Sequence, residues 1–129
     1  MIMHQPRVRR FLRFTWLVLL GCVVAGSLAP SGSAAKRAMD SLNVSDKLWH
    51  FLAYFPLMLL PALYERRRAT VLYAVGLVSL GLLLEFGQRF YADRSFDAGD
   101  AAANVAGVLS GLVAATAGLR LKLIQTKGA

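Results

Sequence analysis

The chain has 129 residues, of which 57% are hydrophobic and 17% are charged, and its mean hydropathy is +0.51. Because about a quarter of the residues of a soluble domain are charged, this composition argues against a water-soluble fold and favours a lipid bilayer as the solvent. The net charge of +8 would suit a nucleic-acid binder. However, the basic residues lie in short clusters between long apolar runs, as they do beside membrane helices. No nucleic-acid partner is therefore predicted, and membrane lipids are the expected surroundings.

The first apolar segment covers about residues 14–29 and follows a basic N-terminus, residues 1–13. A basic start before an apolar run is also typical of a signal peptide, for which residues 33–35 would be a passable cleavage site. The residues around Cys22 loosely resemble a lipoprotein processing site, where that cysteine would be acylated. Since the apolar run is long for a signal peptide and three more follow it, we expect a retained helix. Cleavage and lipidation stay open.

Three further apolar segments cover about residues 48–64, 69–87 and 98–119, and a basic tail, residues 120–129, follows them. Each is close to the ~20 residues that cross a hydrocarbon core, and none shows the alternation of a membrane strand. Pro56 and Pro61 predict a kink in the second segment. The sequence therefore predicts an all-α integral membrane bundle of four transmembrane helices, forming one domain over residues 14–119.

The distribution of basic residues predicts the orientation of these helices. Loops that alternate across the membrane place ten of the fifteen lysines and arginines on one side, and by the positive-inside rule this side is cytoplasmic. Both termini and the turn at residues 65–68 are then cytoplasmic, whereas the loops at residues 30–45 and 88–96 face outward. The predicted location is a bacterial cytoplasmic membrane, which the chain crosses several times.

The fourth segment carries small residues at every fourth position, and these form one stripe along a helix. They are Gly99, Ala103, Gly107, Gly111 and Ala115. Small residues let helix backbones approach closely in lipid, so the stripe predicts a helix-packing face. Packing within the chain is favoured, and a homo-oligomer through the same stripe stays open.

Polar side chains collect at the predicted outer ends of the last three helices. The second helix carries Asp46, Lys47, His50 and Tyr54; the third ends with Glu85 and Gln88; the fourth begins after Arg94 with Asp97, Asp100 and Asn104. Because antiparallel neighbours bring these three ends to one membrane face, the ten residues predict a ligand-binding pocket in the outer leaflet. Charges at such depth cost about 2.5–3.5 kcal/mol each, so they are usually paired or functional.

Structural roles for single members of this set are also open. Asp46 and Asp97 are suited to cap helices, and Glu85 could pair with Arg94 across the turn between the last two helices. As chemistry, the helix N-termini and cations suit an anion such as a lipid phosphate or a carboxylate. Alternatively, His50 could move protons beside Asp100 or Glu85.

No cofactor and no metal site are predicted. A site built from His50, Glu85, Asp97 and Asp100 is conceivable, but the only other histidine, His4, lies on the cytoplasmic side.

In these polar segments the sequence resembles the VanZ-like family of small bacterial membrane proteins. The similar stretches are residues 46–54, residues 85–88 and residues 94–100, followed by Asn104, Gly107 and Gly111. The resemblance covers about residues 45–111 and implies a multi-helix membrane fold in a bacterial cell envelope. The namesake of the family is associated with low-level resistance to teicoplanin, a glycopeptide that acts at the outer leaflet of the cytoplasmic membrane.

Three functions follow as expectations. The leading one is a VanZ-like envelope protein whose outer pocket binds a lipid headgroup or another lipophilic or lipid-linked ligand, with a possible relation to teicoplanin susceptibility. The second is an enzyme that acts on lipid-linked phosphate or ester groups, with His50, Glu85 and Asp100 as candidate catalytic residues; a non-enzymatic role is favoured over it. The third is a helical assembly or transport subunit that docks through the small-residue stripe.

Overall fold

A computed structural model of the chain describes residues 6–91 and 94–127, with the backbone alone for Tyr91 and for residues 119–127. It contains the helices α1 (Pro6–Ser27), α2 (Ala34–Ser41), α3 (Asp46–Tyr64), α4 (Arg67–Tyr91) and α5 (Ala98–Lys127), and these described parts hold no strand. The predicted all-α class is therefore confirmed.

The number and the bounds of the helices differ from the prediction. The segment expected to be a plain outward loop contains α2, while α1 and α5 extend into the stretches assigned to the N-terminus and the tail. Local contacts explain α2: the Ser33 hydroxyl accepts a hydrogen bond from the Lys36 N–H, and the Lys36 ammonium lies 3.2 Å from the Asp40 carboxylate, one turn on. Both kinds of contact stabilise short helices.

Two of the helices are long and apolar enough to cross a membrane, namely Arg67–Phe90 of α4 and Ala98–Gly118 of α5. Helices α1 and α3 are not among them, so the predicted four-span bundle is established only as an all-helical fold with two candidate spans. In α3, the polar residues Asp46, Lys47 and His50 lower the mean hydropathy of a helix of 19 residues.

The core lies mainly between α3 and α5, where two glycines let the backbones touch. A Cβ on Gly107 would lie 2.6 Å from the carbonyl oxygen of Phe51, and one on Gly111 would lie 2.5 Å from that of Phe55. No side chain fits at such distances, so the stripe on α5 packs within the chain at these two positions. Leu57, Met58 and Val108 are fully buried in the same core.

Helix α1 docks on α3 through a bond that a proline makes possible. Since Pro61 has no N–H, the carbonyl oxygen of Leu57, four residues earlier, loses its usual partner within the helix. The indole N–H of Trp16 donates to this carbonyl over 2.7 Å. The Trp16 ring also meets Tyr73 of α4 edge to face, with ring centroids 5.0 Å apart. Helix α3 runs unbroken through Pro56 and Pro61.

The end of the bundle where α3 passes into α4 is held by arginines from α1. The side chain of Glu65, which is 5% exposed, lies 2.5 Å from the Arg9 guanidinium and 2.7 Å from that of Arg13. This end therefore joins the start of α1 to the turn between α3 and α4.

Candidate functional site

The opposite end of the bundle gathers the polar residues into one cluster. Helix caps place the chain there: the Ser45 hydroxyl accepts from the Leu48 N–H over 3.3 Å at the start of α3, and an Asp97 carboxylate oxygen accepts from the Gly99 N–H over 2.6 Å at the start of α5. His50 then lies in the second turn of α3, and Asn104 in the second turn of α5. Glu85 reaches the same place from the C-terminal part of α4.

His50 is the centre of this cluster, and its side chain is 11% exposed. Its Nδ1 lies 3.0 Å from the amide oxygen of Asn104 and 3.6 Å from a Glu85 carboxylate oxygen, while Nε2 lies 3.4 Å from a carboxylate oxygen of Asp100. Because an amide oxygen only accepts hydrogen bonds, the Nδ1–H donates to Asn104. The other nitrogen, Nε2, is thereby turned towards Asp100.

Glu85 is buried without the donors that a carboxylate needs. The side chain is 1% exposed, yet neither of its oxygens accepts a hydrogen bond of normal geometry from a described residue, since the nearby backbone N–H of Asp97 does not reach such geometry. The hydroxyl of Tyr54 and the amide oxygen of Gln88 are also buried without such a partner. A buried polar atom in this state costs about 1–3 kcal/mol, and a charged one costs more. The polar interior of this site is therefore only partly satisfied.

Cations form a rim around this interior. Arg94 lies 2.5 Å from an Asp46 carboxylate oxygen and 3.7 Å from an oxygen of Asp100, so its ion pairs go to these residues rather than to Glu85. Lys47 lies 3.3 Å from Asp97 and 3.4 Å from Asp100. The Gly99 N–H and the Lys47 ammonium hold the pKa of Asp97 below its ordinary value.

Helix α2 contributes a residue that the sequence did not single out. Lys36 donates to an Asp46 carboxylate oxygen over 2.9 Å. Burial acts to lower the pKa of Lys36, but its hydrogen bonds with Asp46 and Asp40 outweigh that effect, so the pKa is raised. The spacing of Lys36 and Asp40, four residues apart, was the available signal, since it is typical of a helix with an ion pair on one face.

A cavity of about 290 Å³ opens beside the cluster, between α1, α2 and α3. Its wall is mainly apolar, with Leu19, Val23 and Ala53 among the lining residues, and its polar residues include Lys36, Asp46, His50, Gln88 and Arg94. The exposed Cys22 also lies on it. The cavity therefore combines a long apolar surface with a polar, charged end.

The structure brings the ten predicted ligand-binding residues to one end of the bundle, in different roles. His50, Glu85, Asp100 and Asn104 form the interior, while Asp46, Lys47, Arg94 and Asp97 form the rim. Tyr54 is buried deeper on α3. Gln88 donates to the Ser27 carbonyl over 3.1 Å and so ties the end of α1 to α4.

Gly81 completes the interior and was missed in the sequence. A Cβ at this position would lie 3.1 Å from the Asn104 amide nitrogen and 3.3 Å from the Tyr54 hydroxyl, so glycine leaves room for both polar groups.

Three residues considered for a metal meet in the cluster. One ligand atom from each of His50, Glu85 and Asp100 lies within 4.8 Å of the others. Asp97, the fourth residue of that set, instead caps α5 and contacts Lys47.

No family model, no curated protein and no solved structure matches the chain. The fold and site define an all-helical protein with two helices that could cross a membrane and a buried cluster of ionisable side chains at one end.

Proposed function

We propose that the chain is a polytopic membrane protein in which α1, α3, α4 and α5 all cross the bilayer, with both termini in the cytoplasm. Large apolar side chains are exposed on each of these helices, including Phe14 on α1, Leu52 on α3, Leu83 on α4 and Leu109 on α5. A soluble protein rarely exposes so many together, whereas lipid covers them at no cost. The Glu65 end, with its neighbouring arginines, is then the cytoplasmic side.

The proposed function is to bind the polar headgroup of a lipid, or of another lipophilic or lipid-linked ligand, at the outer end of this bundle. One observation carries the proposal: the cavity joins an apolar wall on α1 and α3 to the charged groups of Lys36 and Arg94. An apolar chain suits the wall, and a phosphate or carboxylate suits two cations that converge on the single carboxylate of Asp46. A second cavity, between α1 and α4, is lined by residues such as Leu72 and Leu80 and lacks charged groups.

Removing one cation of the rim tests this proposal. The full chain would be purified in detergent and titrated with phosphatidylglycerol, with phosphatidylethanolamine and with a polyprenyl phosphate, while binding is followed by native mass spectrometry. Arg94→Ala should weaken binding of the preferred lipid about tenfold, because a hydrogen bond to a charged group is worth about 1.5–3 kcal/mol. Arg89→Ala is the matched control, since Arg89 is exposed and does not line the cavity. Equal binding by both variants and the wild type would refute the proposal.

A VanZ-like role in the cell envelope is part of the same proposal. It is supported by the fact that the stretches with the family resemblance hold His50, Glu85, Asp100 and Asn104, the residues that meet in the cluster. A relation to teicoplanin susceptibility would show as a change in the inhibitory concentration on expression in a bacterial host. Expression of the Arg94→Ala variant should not produce that change.

An enzyme acting on lipid-linked phosphate or ester groups is the second candidate. It is favoured by the position of His50, which lines the cavity and has a carboxylate on its Nε2 side and an amide on its Nδ1 side. Turnover of a polyprenyl phosphate or phospholipid ester by the purified protein, lost in His50→Gln, would establish it. The assembly hypothesis has less support, because α3 already covers the stripe at Gly107 and Gly111.

A further inference from the structure

We infer that His50, Glu85 and Asp100 form a binding site for one divalent transition-metal cation such as Zn²⁺ or Mn²⁺. The three residues come from α3, α4 and α5, so the site would join the three helices at one end of the bundle. Its residues differ from those that carry the proposed lipid binding, which depends on the cations Lys36 and Arg94.

The first argument is the state of Glu85. Its carboxylate is 1% exposed and accepts no hydrogen bond of normal geometry from the described residues, although it points at His50. Asp100, on the other side of the imidazole, is 2% exposed. Lys47 and Arg94 contact Asp100 from the rim, whereas the lone pairs of Glu85 lack hydrogen bonds of normal geometry from the described residues and lie close to the imidazole and the second carboxylate. A cation is the group that satisfies them all at once.

The second argument is the orientation of the imidazole. Because Nδ1 donates to the Asn104 amide oxygen over 3.0 Å, the lone pair of a neutral His50 is on Nε2 and faces a carboxylate oxygen of Asp100, 3.4 Å away. A proton or a metal ion between this lone pair and the carboxylate removes their repulsion. Metal-binding histidines have this arrangement: one ring nitrogen binds the metal, and the other donates to an outer-shell acceptor that fixes the ring.

The ligand set selects the class of metal. One imidazole nitrogen with two carboxylate oxygens suits Zn²⁺ or Mn²⁺ better than Mg²⁺ or Ca²⁺, which prefer oxygen ligands alone. Ligand atoms around a tetrahedral Zn²⁺ lie roughly 3.4 Å apart. Here one ligand atom from each residue falls within 4.8 Å of the others, a gap that side-chain rotation can close. Since His50 also lines the cavity, a water or an oxygen of a ligand can supply the fourth position.

Metal binding by the purified full chain tests the inference. Protein stripped with a chelator would be dialysed against Zn²⁺ or Mn²⁺, the bound metal measured by elemental mass spectrometry and the affinity by calorimetry. We expect about one equivalent per chain. Glu85→Gln and Asp100→Asn should each weaken binding more than tenfold, and Asn104→Ala should weaken it about 10–100-fold through the lost support of the imidazole. Asp40→Asn, which removes an exposed carboxylate, should bind as the wild type does.

Thermal unfolding separates loss of the site from loss of the fold. Each variant is melted without metal and with it, and only variants that retain a cooperative transition are interpreted. The metal should raise the melting temperature of the wild type and of Asp40→Asn, and leave that of Glu85→Gln unchanged. The inference is overturned if the wild type binds well below one equivalent, or if Glu85→Gln binds as tightly as the wild type does.

Discussion

The two ends of the bundle each bury a glutamate, and they treat it in opposite ways. The side chain of Glu65 is 5% exposed and receives hydrogen bonds from the guanidinium groups of both Arg9 and Arg13. The side chain of Glu85 is 1% exposed and receives none of normal geometry from the described residues. Burial alone thus does not distinguish the two carboxylates, whereas the donors around them do.

This difference separates a closed cluster of ion pairs from the cluster that we infer to be a binding site. At the Glu65 end the carboxylate is paired with two arginines of α1, so the contact serves to hold α1 against the turn between α3 and α4. At the Glu85 end the fold brings Glu85, His50 and Asp100 together and leaves the Glu85 oxygens without hydrogen bonds of normal geometry from the described residues. Buried polar groups left in this state destabilise a fold, and such groups in membrane helices are commonly functional.

Neutralising Glu85 should change the free energy of unfolding most, and the sign of the change should depend on whether the metal is present. In the presence of a chelator, Glu85→Gln should raise the free energy of unfolding by about 2 kcal/mol, because it removes a buried charge that lacks donors. With Zn²⁺ the order should reverse, since only the wild type gains from the bound ion. SDS titration of the protein in mixed micelles measures both quantities. A variant that is destabilised without metal would show that Glu85 already has its partners.

Neutralising Glu65 should change the free energy of unfolding in the opposite direction and by a smaller amount. Glu65→Gln should lower the free energy of unfolding by about 1 kcal/mol, a modest figure because its arginine partners are 41% and 50% exposed and therefore screened by solvent. Arg10→Gln, which changes an exposed arginine on the same helix, is the control and should leave stability unchanged. If both substitutions have the same effect, the Glu65 contacts contribute nothing specific.

Acidification should weaken the Glu65 end by a still smaller amount. Burial acts to raise the pKa of Glu65, but the hydrogen bonds and charges of Arg13 and Arg9 outweigh that effect and lower it from the ordinary 4.5. The stabilisation is therefore complete above the ordinary pKa and is lost as the pH falls through the lowered one. Between about pH 6 and about pH 3 the wild type should lose more stability than Glu65→Gln does. If the free energies of unfolding of the two proteins fell in parallel with pH, the Glu65 contacts would not be the cause of the pH dependence.

The broad fold could be predicted because it depends on patterns that composition reveals. Apolar runs almost long enough to cross a membrane predicted the four long helices. The stripe of small residues at every fourth position predicted the face on which Gly107 and Gly111 meet α3. Helix α2 was missed because its eight residues carry no apolar run. It depends instead on a Ser33 cap and on one ion pair within the helix, signals that also occur in ordinary loops.

The sequence could predict that these polar residues lie at one end of the bundle, but not how they pair. Helical spacing put His50 on one face of α3 and Asn104 on one face of α5, and antiparallel packing brought both to one end. Which cation meets which carboxylate depends on side-chain reach and on loop paths that spacing does not determine. Arg94 therefore pairs with Asp46 across 48 positions instead of with Glu85, and Lys36 arrives from a helix that was not expected.

The bond from Trp16 to the Leu57 carbonyl also bears on the order in which the protein is assembled. In the proposed membrane topology, the Leu57 carbonyl that Pro61 leaves without its helical partner lies in the hydrocarbon core, where no water can bind it, so α3 needs a donor from another segment. Helix α1 is synthesised first, and its indole N–H can meet α3 as that helix emerges. In that topology the contact makes α1 a docking partner for α3 during insertion.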